Sequence, residues 1–229
     1  MNIGKAFSYV FEDERWVTKV LLGGLITLVP ILNIATFGYM LKTAHNVAYG
    51  NPHPLPEWGE DFGDTFMRGL YALVINFVYF IPYILLIVVF SCIVGIPLAG
   101  GETWEETGLL ALCLVPIFLM VAFASALVSY AALARYVITD SLNEALKIGE
   151  VISAVRSNSK PWVMLFLVVL LASIVASLGL IACFMGVIFT AFYAYCVMGH
   201  ALGQTVAQQS GSSTYVPDMP GYDPSSGYQ

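Results

Sequence analysis

The chain has few charged residues for its length. Among its 229 residues, nine are Lys or Arg and 15 are Asp or Glu, so that charged residues make up only 10%. Ordinary globular proteins carry about 25% charged residues. The net charge is −6, and the few basic residues are scattered, whereas binding to nucleic acid requires a dense basic surface that neutralises phosphates. The composition therefore argues against a soluble domain and against nucleic acid as a partner.

The sequence motifs of common catalytic and metal sites are also missing. No Gly-x-Ser-x-Gly nucleophile elbow occurs, and Gly23-Gly24 is not followed by the Lys-Ser/Thr of a phosphate-binding loop. No two cysteines have the CxxC spacing that is typical of zinc or redox sites. All four lie inside apolar runs, where small buried thiols are expected: Cys92, Cys113, Cys183 and Cys196. We therefore expect no enzyme, no catalytic residue, no metal and no cofactor.

The chain consists largely of long uncharged runs, and apolar residues make up 59% of it. The longest run extends from Trp162 to His200 and contains no charged residue apart from that final histidine. A helix needs about 20 predominantly apolar residues to cross the hydrocarbon core of a bilayer. The run is close to twice that length, so it predicts a membrane hairpin with a bend near Ala182-Cys183.

Three further apolar segments precede this hairpin. Arg68 to Pro97 and Leu109 to Ile138 are each long enough to span a membrane. Val20 to Leu41 is also uncharged, but it is interrupted around Pro30–Asn33, and proline removes a helix hydrogen bond. This segment fits either a single tilted span or a re-entrant hairpin. We therefore predict an all-α polytopic membrane helix bundle with about four full spans and a broken or re-entrant first apolar segment.

Two amphipathic segments are expected to lie in the membrane interface. In the first, Met1 to Arg15, four apolar residues share one helical face: Ile3, Phe7, Val10 and Phe11. In the second, Ser141-Leu-Asn-Glu144 is a capping-box pattern that opens a predicted helix to about Ser157. Each segment is followed by a tryptophan and an uncharged run, which suggests a loose internal repeat.

Two polar segments carry the candidate partner contacts. The loop from Thr43 to Thr65 has turn-forming prolines and glycines, and its acidic residues lack the ligand spacing of a calcium loop. Asp64 is well placed to cap the helix that follows. Residues 1–207 are expected to form the membrane domain, and residues 208–229 a tail that is rich in Tyr, Pro, Gly and Ser. A segment of this composition is expected to become ordered only when it binds a partner. The candidate contacts are Leu55, Pro56, Glu57, Trp58, Asp64, Tyr215, Tyr222 and Tyr228.

Few polar side chains interrupt the predicted spans. The candidates are Asn33, Asn76, Tyr79, Tyr83 and His200. Ionisable residues inside a membrane are usually functional, and the middles of these spans have essentially none, which argues against proton or ion coupling. Broken helices and loose repeats do recur in transporters. We therefore expect a non-enzymatic membrane subunit or scaffold that packs with partner membrane proteins or further copies of itself, with a small-solute transporter or channel as the alternative.

The distribution of basic residues predicts the orientation in the cell membrane. Basic residues near span ends stay cytoplasmic, and the loop from Gly100 to Thr107 has none, so we expect this loop outside and the C-terminal tail in the cytoplasm. If Val20–Leu41 re-enters, all nine basic residues and the N-terminus are cytoplasmic. If it is a full span, the N-terminus lies outside together with three of them. We favour the first arrangement.

Several short motifs along the chain form a recognisable pattern. They are Phe7-Ser-Tyr9-Val-Phe11 before Trp16, Gly38-Tyr39, Leu55-Pro56-Glu57-Trp58, Gly63-Asp64-x-Phe66, Gly69-Leu70 and His200-x-x-Gly203-Gln204. Together they resemble domain-of-unknown-function family 4013, which consists of multi-helix membrane proteins of archaea and bacteria. The resemblance covers nearly all of the chain except the tail. It implies a multi-helix membrane fold and transfers no catalytic residue.

Overall fold

A computed structural model shows an all-helical protein, and the structure describes residues 2–59, 61–100, 104–179 and 185–210. The helices are, in chain order, α1 (Ile3–Ser8), a single 3-10 turn (Tyr9–Glu12), α2 (Trp16–Leu28), α3 (Ile34–Ala48), α4 (Phe62–Ala99), α5 (Trp104–Thr139), α6 (Leu142–Ala145), α7 (Ile148–Ser157), α8 (Ser159–Leu178) and α9 (Met185–Ser210). Within these described ranges there is no strand. The predicted all-α class is therefore confirmed.

Among the helices that the structure describes, four are long and apolar enough to cross a membrane, which confirms the predicted number of spans and a multi-pass membrane protein. The candidate spans are Phe62–Ile96, Leu112–Thr139, Ser159–Leu178 and Gly186–Gln209. Inside a bilayer a helix satisfies all of its own backbone hydrogen bonds, so uncharged runs of this length fold as helices. They form two antiparallel hairpins. Arg68 near the start of α4 binds Asp140 just after α5, and Thr190 near the start of α9 binds the Ala176 carbonyl near the end of α8.

The first apolar segment is broken where proline was expected to break it. Helix α2 ends at Leu28 and α3 begins at Ile34, with Pro30 between them. The two helices have 13 and 15 residues, or about 20 and 22 Å at 1.5 Å per residue, so neither reaches across a core of about 30 Å. Lys19 of α2 and Lys42 of α3 both bind the loop after α3. The hairpin therefore starts and finishes at the same end of the bundle.

Helix α3 is the centre of the packing, because it lies against both α4 and α9 with glycines at the crossings. A Cβ added at Gly38 would overlap with the backbone of Thr65, and one added at Gly69 would overlap with the backbone of Ile34. On the other side of α3, an added Cβ at Gly199 would lie 2.6 Å from the Met40 carbonyl oxygen. Small residues let helix backbones approach closely in membranes. These glycines therefore set the distances between the three helices.

The predicted amphipathic helix from Met1 to Arg15 is wrong in its extent. Helix α1 ends at Ser8 and continues as a 3-10 turn to Glu12. Val10 is fully buried, whereas Phe11 is 54% exposed, so the two residues do not share one buried face. The reason is tertiary: Tyr9 donates a hydrogen bond to the Cys196 carbonyl, and Tyr193 donates one to the Phe7 carbonyl. These contacts fix the segment on α9 instead of allowing a continuous helix.

Two predicted helix caps are also wrong. The Ser141 side chain forms no capping hydrogen bond, and Glu144 instead binds Arg135 and Lys147 in ion pairs. The single helix predicted up to Ser157 is split into α6 and α7 at that place. Asp64 does not precede its helix, because α4 already begins at Phe62. In each case a charged partner from another part of the chain binds the carboxylate.

Candidate functional site

Charged side chains gather at one end of the bundle, which we call the charged end. It is formed by residues 2–19, 42–59, 61–68, 135–160 and 200–210. Seven of the nine basic residues form ion pairs with described carboxylates there: Lys5, Arg15, Lys19, Lys42, Arg68, Arg135 and Lys147. The other two are Arg156 in the last turn of α7 and Lys160 in the first turn of α8, where the candidate span of α8 begins. This end is therefore where the polar chemistry of the described chain is concentrated.

Lys19 is the buried centre of the charged end. Its residue is only 4% exposed, and its Nζ lies 2.6 Å from Asp13 Oδ2 and 2.9 Å from Glu57 Oε1. The same Nζ donates a 3.0 Å hydrogen bond to the Leu55 carbonyl. Burying an ammonium group is costly unless it is paired and hydrogen-bonded. The three acceptors offset that cost, and they tie the N-terminal segment and the loop to α2.

The Leu-Pro-Glu-Trp motif is held against the bundle by the same region. Trp58 donates from Nε1 to the Lys19 carbonyl at 3.0 Å and stacks on Tyr39, with 4.6 Å between ring centroids. Tyr39 in turn donates to the Pro56 carbonyl at 2.9 Å. Leu55 is only 4% exposed. Side chains that we considered for partner contact therefore make contacts within the chain, and Leu55 has almost no surface left for a partner.

Of the other candidate partner contacts, the structure describes Asp64 but not the three tyrosines of the tail. Asp64 binds Lys42 and Arg68, each at 3.0 Å, and Arg68 also binds Asp140 at 2.7 Å, so these residues connect α3, α4 and the end of α5. Partly exposed pairs of this kind contribute about 0–1 kcal/mol each. The three tail residues Tyr215, Tyr222 and Tyr228 lie outside the described residues, and their role stays a prediction.

The candidate polar residues of the spans are not brought together. Asn33 is exposed in the turn between α2 and α3. Asn76 donates to the Ala72 carbonyl and accepts a 2.7 Å hydrogen bond from Ser129 of α5. Tyr79 donates to the Ala145 carbonyl at 2.7 Å, and the Tyr83 ring packs on a phenylalanine of α5. His200 lies at the charged end. Among the described residues, Asn76, Tyr79 and Tyr83 each contact a neighbouring helix, and the five groups do not line one path.

Polar cavities surround the loop at the charged end. One of about 340 Å³ is lined by Lys42, His45, Asp61 and Arg68, among others. A second, of about 510 Å³, lies between the N-terminal segment, the loop and α9. In the part of the chain that the structure describes, no three His, Cys, Asp or Glu side chains are placed to hold a metal ion. The cavities therefore offer hydrogen bonds and charges as their means of binding.

Sequence reasoning did not single out Lys19 and Asp13 as site residues, and it included Tyr39 and Gln204 only as parts of the motifs of the resemblance. A lysine at the start of an apolar segment looks like an ordinary flanking charge, since such residues commonly reach the interface. The available signal was its position one turn after Trp16, which places it on the face of α2 that packs inward. Asp13 lies six residues before Lys19, but the other partners of Lys19, Leu55 and Glu57, come from a loop more than 30 residues further on, which local spacing does not reveal.

Asp13 makes the stability of the charged end depend on pH. Burial alone would raise the pKa of its carboxyl, but hydrogen bonds from Lys19 and from the Arg15 backbone, with the nearby positive charges, lower that pKa below its ordinary value. The ionised form therefore stabilises the fold above the unfolded pKa of about 3.9, and this contribution disappears as the pH falls through the lower folded value. We expect the difference in melting temperature between the wild type and Asp13→Asn to shrink below about pH 4. A difference that stays constant down to pH 2 would contradict this.

Comparison with known proteins identifies one family. No curated protein and no solved structure was found to match the chain. A family model described as "Protein of unknown function (DUF4013)" matches residues 21–185. The matched part contains the glycines of the α3–α4 crossing and the Leu-Pro-Glu-Trp motif, whereas the Phe7–Phe11 and His200–Gln204 motifs lie outside it. Because the match covers more than half of the chain, this protein belongs to the DUF4013 family of proteins of unknown function.

Proposed function

We propose that this protein is a non-enzymatic integral membrane subunit that serves as a scaffold for partner membrane proteins or for further copies of itself. The observation that carries the proposal is the surplus length of the α4–α5 hairpin. Helices α4 and α5 have 38 and 36 residues, whereas α8 has 20. A helix of 20 residues already spans about 30 Å of hydrocarbon. The longer hairpin therefore carries more apolar surface than crossing the membrane requires.

The surface of this hairpin supports the same proposal. After Tyr79, most of the large apolar side chains of α4 that the structure describes are exposed. Among them, only Val94 is buried. Some of the most exposed side chains of the hairpin are Leu85 at 60%, Leu119 at 66% and Met120 at 72%. Without a hydrophobic driving force in lipid, helices associate through packing and close contact. Two long helices with exposed faces provide such a packing surface for helices of a partner.

The test is site-specific photo-crosslinking in membranes. A crosslinking amino acid at Met120 is expected to give one defined adduct with a partner protein, identified by mass spectrometry. The matched control is the same amino acid at Ile174, which is 50% exposed on α8. An adduct of twice the mass of the 24.9 kDa chain would show that the partner is a second copy. If Met120 and Ile174 both react with lipid alone, the scaffold proposal is wrong.

The C-terminal tail is proposed as a second contact of the scaffold. Its Tyr, Pro and Gly composition is typical of segments that order on binding. Removal of residues 211–229 is expected to release the partner during purification in mild detergent, while the membrane domain stays folded. Retention of the partner at full occupancy after this truncation would contradict a role for the tail.

The orientation that we propose follows from the charged end. The nine basic residues lie there by sequence position, and basic residues at span ends stay cytoplasmic. We therefore assign the charged end, with both termini, to the cytoplasmic side of the cell membrane. Helices α2 and α3 then form a re-entrant hairpin whose turn at residues 29–33 lies within the bilayer. Irregular backbone within the bilayer must have its polar groups satisfied by protein. The N–H groups of Val29, Asn33 and Ile34 are hydrogen-bonded within the hairpin, although the residues of the turn are exposed.

A small-solute transporter or channel is the second candidate. The helix break between α2 and α3 favours it, because interrupted membrane helices build binding sites in transporters. Under this alternative, Asn33→Leu and Asn76→Leu would each abolish uptake into proteoliposomes, and the truncated chain without its tail would remain active. Under the scaffold proposal, Asn33→Leu leaves partner binding unchanged, because Asn33 is exposed in the turn.

A further inference from the structure

The cavity of about 510 Å³ at the charged end has the features of a built binding site. Its walls come from the N-terminal segment, from residues 50–55 of the loop and from α9. The residues that matter for its chemistry are Lys5, Tyr9, Glu12, Asp13 and His200. Polar and apolar groups share its lining, as is usual for sites that take small organic molecules. Neither the resemblance nor the scaffold proposal accounts for it.

A chain of hydrogen bonds fixes the proton on His200. The Asn2 backbone N–H, which can only donate, lies 2.7 Å from Gln204 Oε1, so this atom is the amide oxygen. Gln204 Nε2 is then the donor that lies 3.2 Å from the Asn2 carbonyl and 3.1 Å from His200 Nδ1. Nδ1 must accept this hydrogen bond. A neutral His200 therefore carries its proton on Nε2.

This Nε2–H group is a donor that the protein does not use. His200 is only 5% exposed, and its ring is stacked on Tyr9 with 4.2 Å between the centroids. No described residue forms a hydrogen bond with Nε2, and His200 forms part of the cavity wall. Nε2 is not among the fully buried polar atoms that lack a partner in the described chain, so this donor has access to the cavity. An acceptor in the cavity would satisfy it.

The charges at the cavity indicate what kind of acceptor fits. Asp13 is neutralised by Lys19 at 2.6 Å, which leaves Lys5 and Glu12 as the remaining pair. These two side chains are 48% and 56% exposed and lie 2.6 Å apart. Both are near enough to act electrostatically on His200. The cavity therefore offers one cation, one carboxylate and one neutral donor, and this set has no net charge.

We propose that this cavity binds a compact zwitterion, a molecule with an ammonium group and a nearby phosphate or carboxylate. The anionic group accepts from His200 Nε2–H and from Lys5, and the ammonium group donates to Glu12. The exchange replaces one exposed ion pair by two and gives the His200 Nε2–H group an acceptor. The headgroup of an ethanolamine phospholipid and a free small zwitterion share this chemistry. The inference does not depend on the scaffold proposal, because it concerns a different part of the molecule.

The test uses the full chain in mild detergent, with O-phosphoethanolamine as the soluble probe and calorimetry as the measurement. The wild type is expected to bind the probe. His200→Phe keeps an aromatic ring beside Tyr9 but lacks the donor, and loss of one hydrogen bond is expected to weaken binding about 3- to 10-fold. The double variant Lys5→Gln/Glu12→Gln is expected to weaken it by about 10-fold or more. The matched control is His45→Phe, which changes a histidine of the neighbouring cavity and should leave binding unchanged.

A second arm distinguishes the two sources of the ligand. The protein is reconstituted in vesicles with equal amounts of phosphatidylethanolamine and phosphatidylglycerol, and the lipids retained after extraction are measured by native mass spectrometry. Selective retention of phosphatidylethanolamine supports the lipid headgroup, and binding of the soluble probe without such retention supports the free zwitterion. The proposal is overturned if neither probe binds, if inorganic phosphate binds as well as phosphoethanolamine, or if the variants of His200 and of the Lys5–Glu12 pair both bind like the wild type. If His200→Phe fails to fold, the exposed Lys5–Glu12 variant decides the outcome.

Discussion

Replacement of Lys19 by methionine is expected to destabilise the protein by about 3 kcal/mol or more. Methionine retains the length and the apolar stem of lysine but removes the charge. Asp13 would then keep its negative charge in a largely buried position, Glu57 would keep only its ion pair with Arg15, and the Leu55 carbonyl would lose its donor. Removing one partner of a buried ion pair is costly because it leaves the other charge uncompensated.

Thermal unfolding in detergent measures this effect, together with limited proteolysis of the loop. Loss of the Lys19 contacts should make residues 51–58 accessible to protease before the helices unfold. The matched control is Lys5→Met, because the Lys5–Glu12 pair is about half exposed and such pairs contribute about 0–1 kcal/mol. Equal melting temperatures for the Lys19 and Lys5 variants would show that the buried pair does not hold the loop.

Alanine at Gly38 is expected to have an effect of similar size, about 3 kcal/mol. The added methyl group would overlap with the backbone of Thr65, and the facing Gly69 is in equally close contact with the backbone of Ile34. A side chain could rotate away, but a backbone oxygen in a helix cannot, so α3 and α4 must separate. Because α3 also packs on α9, that separation disturbs both interfaces.

The control for this variant is Gly63, which lies on α4 six residues before Gly69. Gly63→Ala adds the same methyl group at a position where no atom lies within 4 Å, and it also replaces a helical glycine by a better helix former. We expect Gly63→Ala to be neutral or slightly stabilising, with a melting temperature at or above that of the wild type. If Gly38→Ala melts like Gly63→Ala, the close crossing of α3 and α4 is not present in the protein.

The parts of the fold that depend on composition were predictable from the sequence. Uncharged runs define the four spans, and Pro30 marks the break between α2 and α3. Local patterns near helix ends were less reliable, since long-range contacts override them. The capping box at Ser141 is lost because Arg135, at the end of the preceding helix, binds the glutamate that the box requires.

The candidate site was predictable only in part. The Leu-Pro-Glu-Trp motif was recognised as significant, and the structure shows that its residues fix the loop through Lys19 and Tyr39. The cavity at His200 could not be predicted, because it is assembled from residues near both termini. Asn2 and Gln204 are 202 positions apart and determine the tautomer of the histidine between them. Periodicity and spacing describe single helices and carry no information about such contacts.

We propose that α2 and α3 enter and leave the membrane on the same side, and the accessibility of introduced cysteines distinguishes this arrangement from a full span. In a background without the four native cysteines, Glu14→Cys precedes the hairpin, Asn51→Cys follows it, and Gly100→Cys marks the opposite end; all three positions are exposed. With a membrane-impermeant maleimide, we expect Gly100→Cys to react in intact cells, and Glu14→Cys and Asn51→Cys to react only after the membrane is opened. Labelling of Glu14→Cys but not of Asn51→Cys in intact cells would show that the segment spans the membrane and would contradict the account.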